Sequence, residues 1–172
     1  MVSRAQLLGL ALAMAASGSA LAQNEWRDRK FLEAAIQENN LEIKLGQLAE
    51  QRGTSLELRA YGQDLADGHF PDRLEANRTA AQLHMFVPLR GPRGDRDVRA
   101  RLDAHSARDF DREFVRFMAE RQAEDLTAFR EEAAGGDAIA GLARRALPIL
   151  QRQLETARSL DRALNGHPAS GR

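Results

Sequence analysis

Cysteine is absent from the 172 residues. Its absence excludes disulfides, thiolate catalysis, Cys-ligated metal and a lipidated N-terminal cysteine. Charge of one sign is not in excess either, since 25 Lys plus Arg stand against 25 Asp plus Glu. That balance excludes the basic surplus by which a nucleic-acid binder is recognised. Lysine itself is reduced to Lys30 and Lys44. Aromatic residues are few, and four of the seven phenylalanines fall within one stretch, Ser106 to Ala134. A long apolar run occurs only once, at the start.

That run is Leu7 to Ala16, preceded by Arg4 and followed by the small-residue exit Ala20-Leu21-Ala22. A charged start, a short apolar centre and a small-residue exit describe a secretory signal peptide, with cleavage expected after Ala22. The run has about half of the ~20 apolar residues that a spanning helix needs. No later segment is long and apolar, so no transmembrane segment is expected once the leader is removed. Residues 1–22 are therefore read as a signal peptide, 23–165 as one helical domain and 166–172 as a flexible tail. Removing Arg4 with the leader leaves 24 basic and 25 acidic residues, a net charge of −1.

The centre of the chain is Ser106 to Ala134. Phe110, Phe114, Phe117, Met118, Leu126 and Phe129 recur every three or four residues, which puts them on one face of a helix. Such an aromatic face requires cover from other helices. Ser106 and Asp109 suggest a capping box at its start, and Gly135-Gly136 a left-handed turn at its end. A first helix is expected over about Asp28 to Arg52, ending at Gly53. Thr54 or Ser55 would cap a second that reaches about Leu83, with a kink or a break where Gly68 and Pro71 interrupt it. Asp95 to Ala104 reads as a short extra helix. The last long helix opens at the N-cap Asp137 and runs to about Leu164.

Two hairpins follow from the short turns after the first and third long helices. Between the hairpins lie about twenty residues, 85–105, which could span ~60 Å if extended. A plain up-and-down bundle needs only a few residues there. The fold class predicted is therefore all-α, a ferritin-like antiparallel four-helix bundle with a long connection between the second and third helices.

The blocks FLEAAIQENNLEIKLGQLAEQ, LRAYGQDLADGH, FDREFVRFMAERQAEDLTAFREEA and LARRALPILQRQLETA resemble, in that order, a bacterial family of exported ferritin-like proteins. Members are often labelled outer membrane proteins, and their domain is one of unknown function. The resemblance covers about residues 28–160. Its most specific pieces are Leu45-Gly46-Gln47-Leu48-Ala49, the pair Asp67 and His69, and Ala146-Leu147-Pro148. It implies a ferritin-like bundle in the periplasm or secreted, in association with the outer membrane, and brings no characterised reaction. It also implies histidine at the positions held here by Gln122 and Gln153.

One polar residue per helix interrupts the apolar stripes: Glu42, His69, Gln122 and Gln153. Converging in a bundle core, they would form the kind of cluster in which carboxylate-bridged metals are held. Glu42 and His69 are the metal candidates, with Gln122 and Gln153 as polar partners that do not ligate, glutamine being a poor ligand for iron, manganese or zinc. The Glu-x-x-His spacing of di-iron bundles is absent, since Ala66, Ala81, Leu102 and Leu164 stand three before the four histidines. Asp67, His69 and Asp72 offer an alternative shallow surface site. No catalytic residue is identified and no cofactor is expected. The reading is a non-enzymatic envelope module, binding or stress-related, whose partner is a protein, a small ligand or a lipid surface. The alternative is a ferritin-like metal-binding protein or oxidase with a degenerate core site, and a periplasmic chaperone is a third class.

Overall fold

The computed structural model describes residues 4–87 and 93–166, with side chains described over 24–87 and 97–166. The predicted leader start at residues 1–3, the centre of the long connection and the tail beyond Gly166 lie outside the described residues. Within them the chain is all-helical, with no strand. Its helices are α1 (Arg4–Arg52), α2 (Leu56–Gln82), α3 (Arg93–Asp103), α4 (Ala107–Ala133) and α5 (Ala138–Asn165). No described helix is long and apolar enough to cross a membrane.

α1 begins well before the expected Asp28. Residues 4–22 are rich in leucine and alanine and no proline separates them from residue 28, so nothing terminates the helix there. The turn after α1 is built as the sequence indicates: Ser55 Oγ accepts the Leu58 N–H at 3.1 Å. Asp111, buried on α4, accepts both the backbone N–H and the hydroxyl of Thr54. Arg52 donates to the carbonyls of Asp103 and His105, each at 2.8 Å, and lies over the Phe110 ring. The α1–α2 turn and the α3–α4 junction are thus pinned together at one end of the molecule.

That pinning decides the direction of the long connection. α2 leaves the pinned end and runs about 40 Å at 1.5 Å per residue, and the chain must return to the same end before α4 starts. α2 and α4 therefore run in the same direction. The apolar side chains sort accordingly. Leu45, Leu58, Tyr61, Leu65, Phe110, Phe114 and Met118 form a cluster toward the pinned end. Leu32, Ala76, Leu126, Phe129, Ile139 and Leu142 form another toward the far end.

Three local expectations are corrected. α2 is continuous through Gly68 and Pro71, so of the kink or break expected there the break does not occur. Pro71 removes only the bond to the carbonyl of Asp67, and both residues are on the exposed side of the helix. Gly68 is a clearance rather than a breaker: a Cβ there would stand 2.9 Å from Gln153 Nε2. The Ser106–Asp109 capping box does not form, because the hydroxyl donates to the Asp109 carboxylate and caps no backbone N–H. Gly135 and Gly136 adopt no left-handed conformation. Arg144 instead donates to the carbonyls of Ala133 and Gly135, each at 2.8 Å, and so closes the end of α4.

Candidate functional site

Between the two apolar clusters lies a layer of buried polar residues. Each comes from a position where a polar side chain replaces an apolar one in the stripe of its helix. Glu42, Gln122 and Gln153 are 0 % exposed and His69 is 3 %. The structure therefore brings together all four residues singled out in the sequence. It adds Asn39, Tyr61, Glu38, Arg121 and Asp125, which the sequence reading did not select. A signal for two of them existed: Glu38 is one helical turn before Glu42, and Asp125 lies three after Gln122, on the same face.

His69 sits at the middle of the layer. Its Nδ1 is 2.8 Å from Asn39 Oδ1. Its Nε2 is 3.0 Å from Gln153 Oε1 and meets Glu42 Oε2 as an ion pair. Both amides are oriented by backbone carbonyls: Asn39 Nδ2 donates to Ala35 O at 2.7 Å, and Gln153 Nε2 to Asp64 O at 3.1 Å. Each amide thus spends its N–H on a carbonyl and turns its oxygen to the imidazole. Two acceptors face the two ring nitrogens, so both nitrogens donate and His69 is an imidazolium. Burial opposes that charge. The Glu42 carboxylate outweighs it and raises the pKa to about 9.

The glutamines complete the layer as neutral links. Tyr61 donates its hydroxyl to Gln122 Oε1 at 2.9 Å, and Gln122 Nε2 lies 3.5 Å from Gln153 Oε1. Burial, together with the charge of Glu42, holds the Tyr61 hydroxyl protonated, its pKa well above the ordinary value.

Beside Glu42 a second group of acids comes together. One oxygen each of Glu38, Glu42 and Asp125 lies within 4.8 Å of the others. Arg121 grips Glu38 with two nitrogens, Nε at 2.7 Å from Oε1 and Nη2 on Oε2, and its Nε is 3.9 Å from Asp125 Oδ2. Glu42 Oε1 and Asp125 Oδ2 are buried and have no hydrogen-bond partner; Glu42 Oε2, although paired ionically with His69, is not aligned with a donor either. Burial raises the Asp125 pKa to about 8, with the charges of Glu38 and Glu42 adding to the rise and that of Arg121 opposing it. A cavity of about 30 Å³ touches Glu38, Asn39, His69 and Asp125 and runs outward to Asp72, Glu75 and Arg145.

The structure brings the two metal candidates of the sequence, Glu42 and His69, together as a buried ion pair, with the imidazole nitrogens facing Asn39 Oδ1, Gln153 Oε1 and Glu42 Oε2. The alternative surface site of Asp67, His69 and Asp72 does not form. Asp67 is exposed, while His69, two residues on and nearly opposite around the helix, points inward. A further acidic group, Asp28, Glu132 and Asp137, gathers at the far end beside the start of α5, where Asp137 caps Ala140 N–H.

The chain is thus an all-helical protein with a self-paired polar layer in its core. The family model described as Domain of unknown function (DUF4142) matches residues 12–160, and the chain belongs to that family. No curated protein and no solved structure matches it.

Proposed function

We propose that this is an exported, non-enzymatic module of the ferritin-like four-helix-bundle class, neutralised in its core by its own side chains, which acts by binding a protein or small ligand in the cell envelope. The observation that carries the reading is the state of His69, whose two nitrogens both donate. A ferritin-like redox centre works through open ligand positions on a metal held by carboxylates and imidazoles. Here His69 neutralises Glu42, Arg121 neutralises Glu38, and two glutamines fill the places between them. The parallel course of α2 and α4 supports the ferritin-like class, because a crossover connection is its mark. The charged start, apolar run and small-residue exit of residues 1–22 support export. Phe70 and Leu74, one turn apart on α2 and 54 % and 45 % exposed, support a surface that meets a partner.

Elemental analysis tests the reading on protein purified without a tag from the periplasm. The expected result is no near-stoichiometric iron, manganese or zinc in the wild type. Metal that co-purifies and disappears in both His69→Ala and Glu42→Ala would replace this reading with a metalloprotein. Recovery of the chain from the cytoplasm with residues 1–22 intact would remove its exported half.

A further inference from the structure

Two cations are built into the core, and they are held differently. His69 is enclosed, with a side chain 4 % exposed and acceptors on both nitrogens. Arg121 reaches Glu38 from the edge, with a side chain 35 % exposed. One is locked in place; the other has a way out.

We propose that Glu38, Glu42 and Asp125 form a binding site for a hard divalent cation, and that the guanidinium of Arg121 is the removable counter-ion occupying that site in the metal-free protein. Three observations carry the assignment. The three carboxylates come from two helices, α1 and α4, yet one oxygen of each lies within 4.8 Å of the others. Oxygens bound to one ion at about 2.0–2.6 Å are at most ~4–5 Å apart, so a single cation touches all three with little movement. Glu42, wholly buried, carries an oxygen, Oε1, that no hydrogen bond satisfies, and Asp125 Oδ2, 3.9 Å from Arg121 Nε, accepts no hydrogen bond either. The cavity against Glu38 and Asp125 is about 30 Å³. A water needs ~10–15 Å³, which leaves room for about two or three of the water ligands that would complete the ion's coordination. The cavity continues to Asp72 and Glu75 near the surface, so the same space gives access.

The donor set names the class of cation. The three proposed ligands offer only carboxylate oxygens, and such sites suit magnesium, calcium or manganese(II) over zinc or copper. Arg121 sets the affinity. While its fork holds Glu38, a divalent ion meets only Glu42, already paired with His69, and Asp125, beside a neighbouring positive charge. Once it swings toward solvent, the ion meets three carboxylates. This site goes beyond the proposed function, which concerns the neutralisation of the layer by its own side chains and the absence of a tightly held metal.

The test is a titration with Mn²⁺, following loss of the free-ion electron paramagnetic resonance signal. The wild type is expected to bind weakly. Arg121→Gln keeps the length and polarity without the charge, and is expected to bind one Mn²⁺ per chain about tenfold tighter or more. Adding Asp125→Asn to that variant is expected to abolish the gain. Equal affinity of the wild type and Arg121→Gln overturns the proposal, as does binding that survives Asp125→Asn. If circular dichroism shows Arg121→Gln unfolded, the comparison moves to the thermal midpoint of the wild type and Asp125→Asn in millimolar Mn²⁺. A rise confined to the wild type supports the site, and equal shifts sink it. Tight stoichiometric metal in the untreated wild type is a separate outcome, which would end the proposed function and the counter-ion role of Arg121 together.

Discussion

The apolar cluster toward the pinned end and the polar layer next to it are equally buried but are held by different physics. Phe110, Phe114, Met118 and Leu45 are 0 % exposed and contribute through area and shape, which are non-directional. Glu42, His69 and Gln153 are also 0–3 % exposed, yet each depends on a particular partner at a particular distance. Area can be partly recovered when a core repacks. A lost partner cannot, because what remains is a buried charge or an unpaired amide. The dry cluster thus accounts for most of the driving force, and the polar layer fixes which turn of one helix faces which turn of the next. The close approach of α1 and α2 at Gly46 and Gly62 fits this division. A Cβ at Gly46 would stand 2.5 Å from Gly62 O, so only glycine allows the backbone contact that brings Glu42 level with His69.

Leucine substitutions in the two regions should separate them most. His69→Leu leaves Glu42 buried without its cation and should cost about 3–5 kcal/mol. Phe114→Leu keeps an apolar side chain of similar size and should cost about 1–1.5 kcal/mol. Replacing both members of the pair, as His69→Leu with Glu42→Leu, should recover most of the loss of the single variant. Urea unfolding of the four proteins measures these differences. Equal costs for His69→Leu and Phe114→Leu would mean that the layer is held by packing after all.

The pH dependence is the next largest effect and belongs to the layer alone. His69 has a folded pKa of about 9, above its ordinary value near 6.5, so its contribution is complete below about 6.5 and is lost as pH rises through 9. Asp125 is raised to about 8 from an ordinary value near 3.9, so the folded state holds a proton that the unfolded state has released, and stability again falls as pH rises between those values. The two add in sign. Metal-free protein should therefore be more stable at pH 5 than at pH 9 in chemical denaturation. His69→Gln should flatten the upper part of that fall and Asp125→Asn the lower part. A midpoint that rises with pH over this range would contradict both charge assignments.

How much of this was legible in the sequence follows the same division. Helical periodicity, turn length and the long connection gave the helices and their pairing, because apolar spacing and chain length act locally. The four polar residues in the stripes were also visible, since each breaks a pattern. What they do was not. Whether His69 ligates or donates depends on which way Asn39 and Gln153 turn their amides. The carbonyl of Ala35, one turn back on α1, orients the first, but that of Asp64, 89 residues away, orients the second. Glu38 and Arg121 lie 83 residues apart and their pairing leaves no local mark. Gly68 and Pro71 misled for the opposite reason. Their local preference for a break is real, but packing of Leu65, His69 and Ala76 on both sides holds the helix through them.

The helix starts yield the smallest effect and show the same rule at the surface. Ser55 and Ser106 look alike in sequence, each a serine just before a helix. Ser55 Oγ accepts the Leu58 N–H, so Ser55→Ala should cost about 1 kcal/mol by leaving that donor uncapped. Ser106 Oγ donates to the Asp109 carboxylate on the exposed side and satisfies no backbone group, so Ser106→Ala should change stability by less than about 0.5 kcal/mol. Thermal unfolding of the two alanine variants measures the contrast. Equal losses would show that Ser106 caps α4 in solution, and that its bond to Asp109 gives way to the reciprocal box that the sequence suggests.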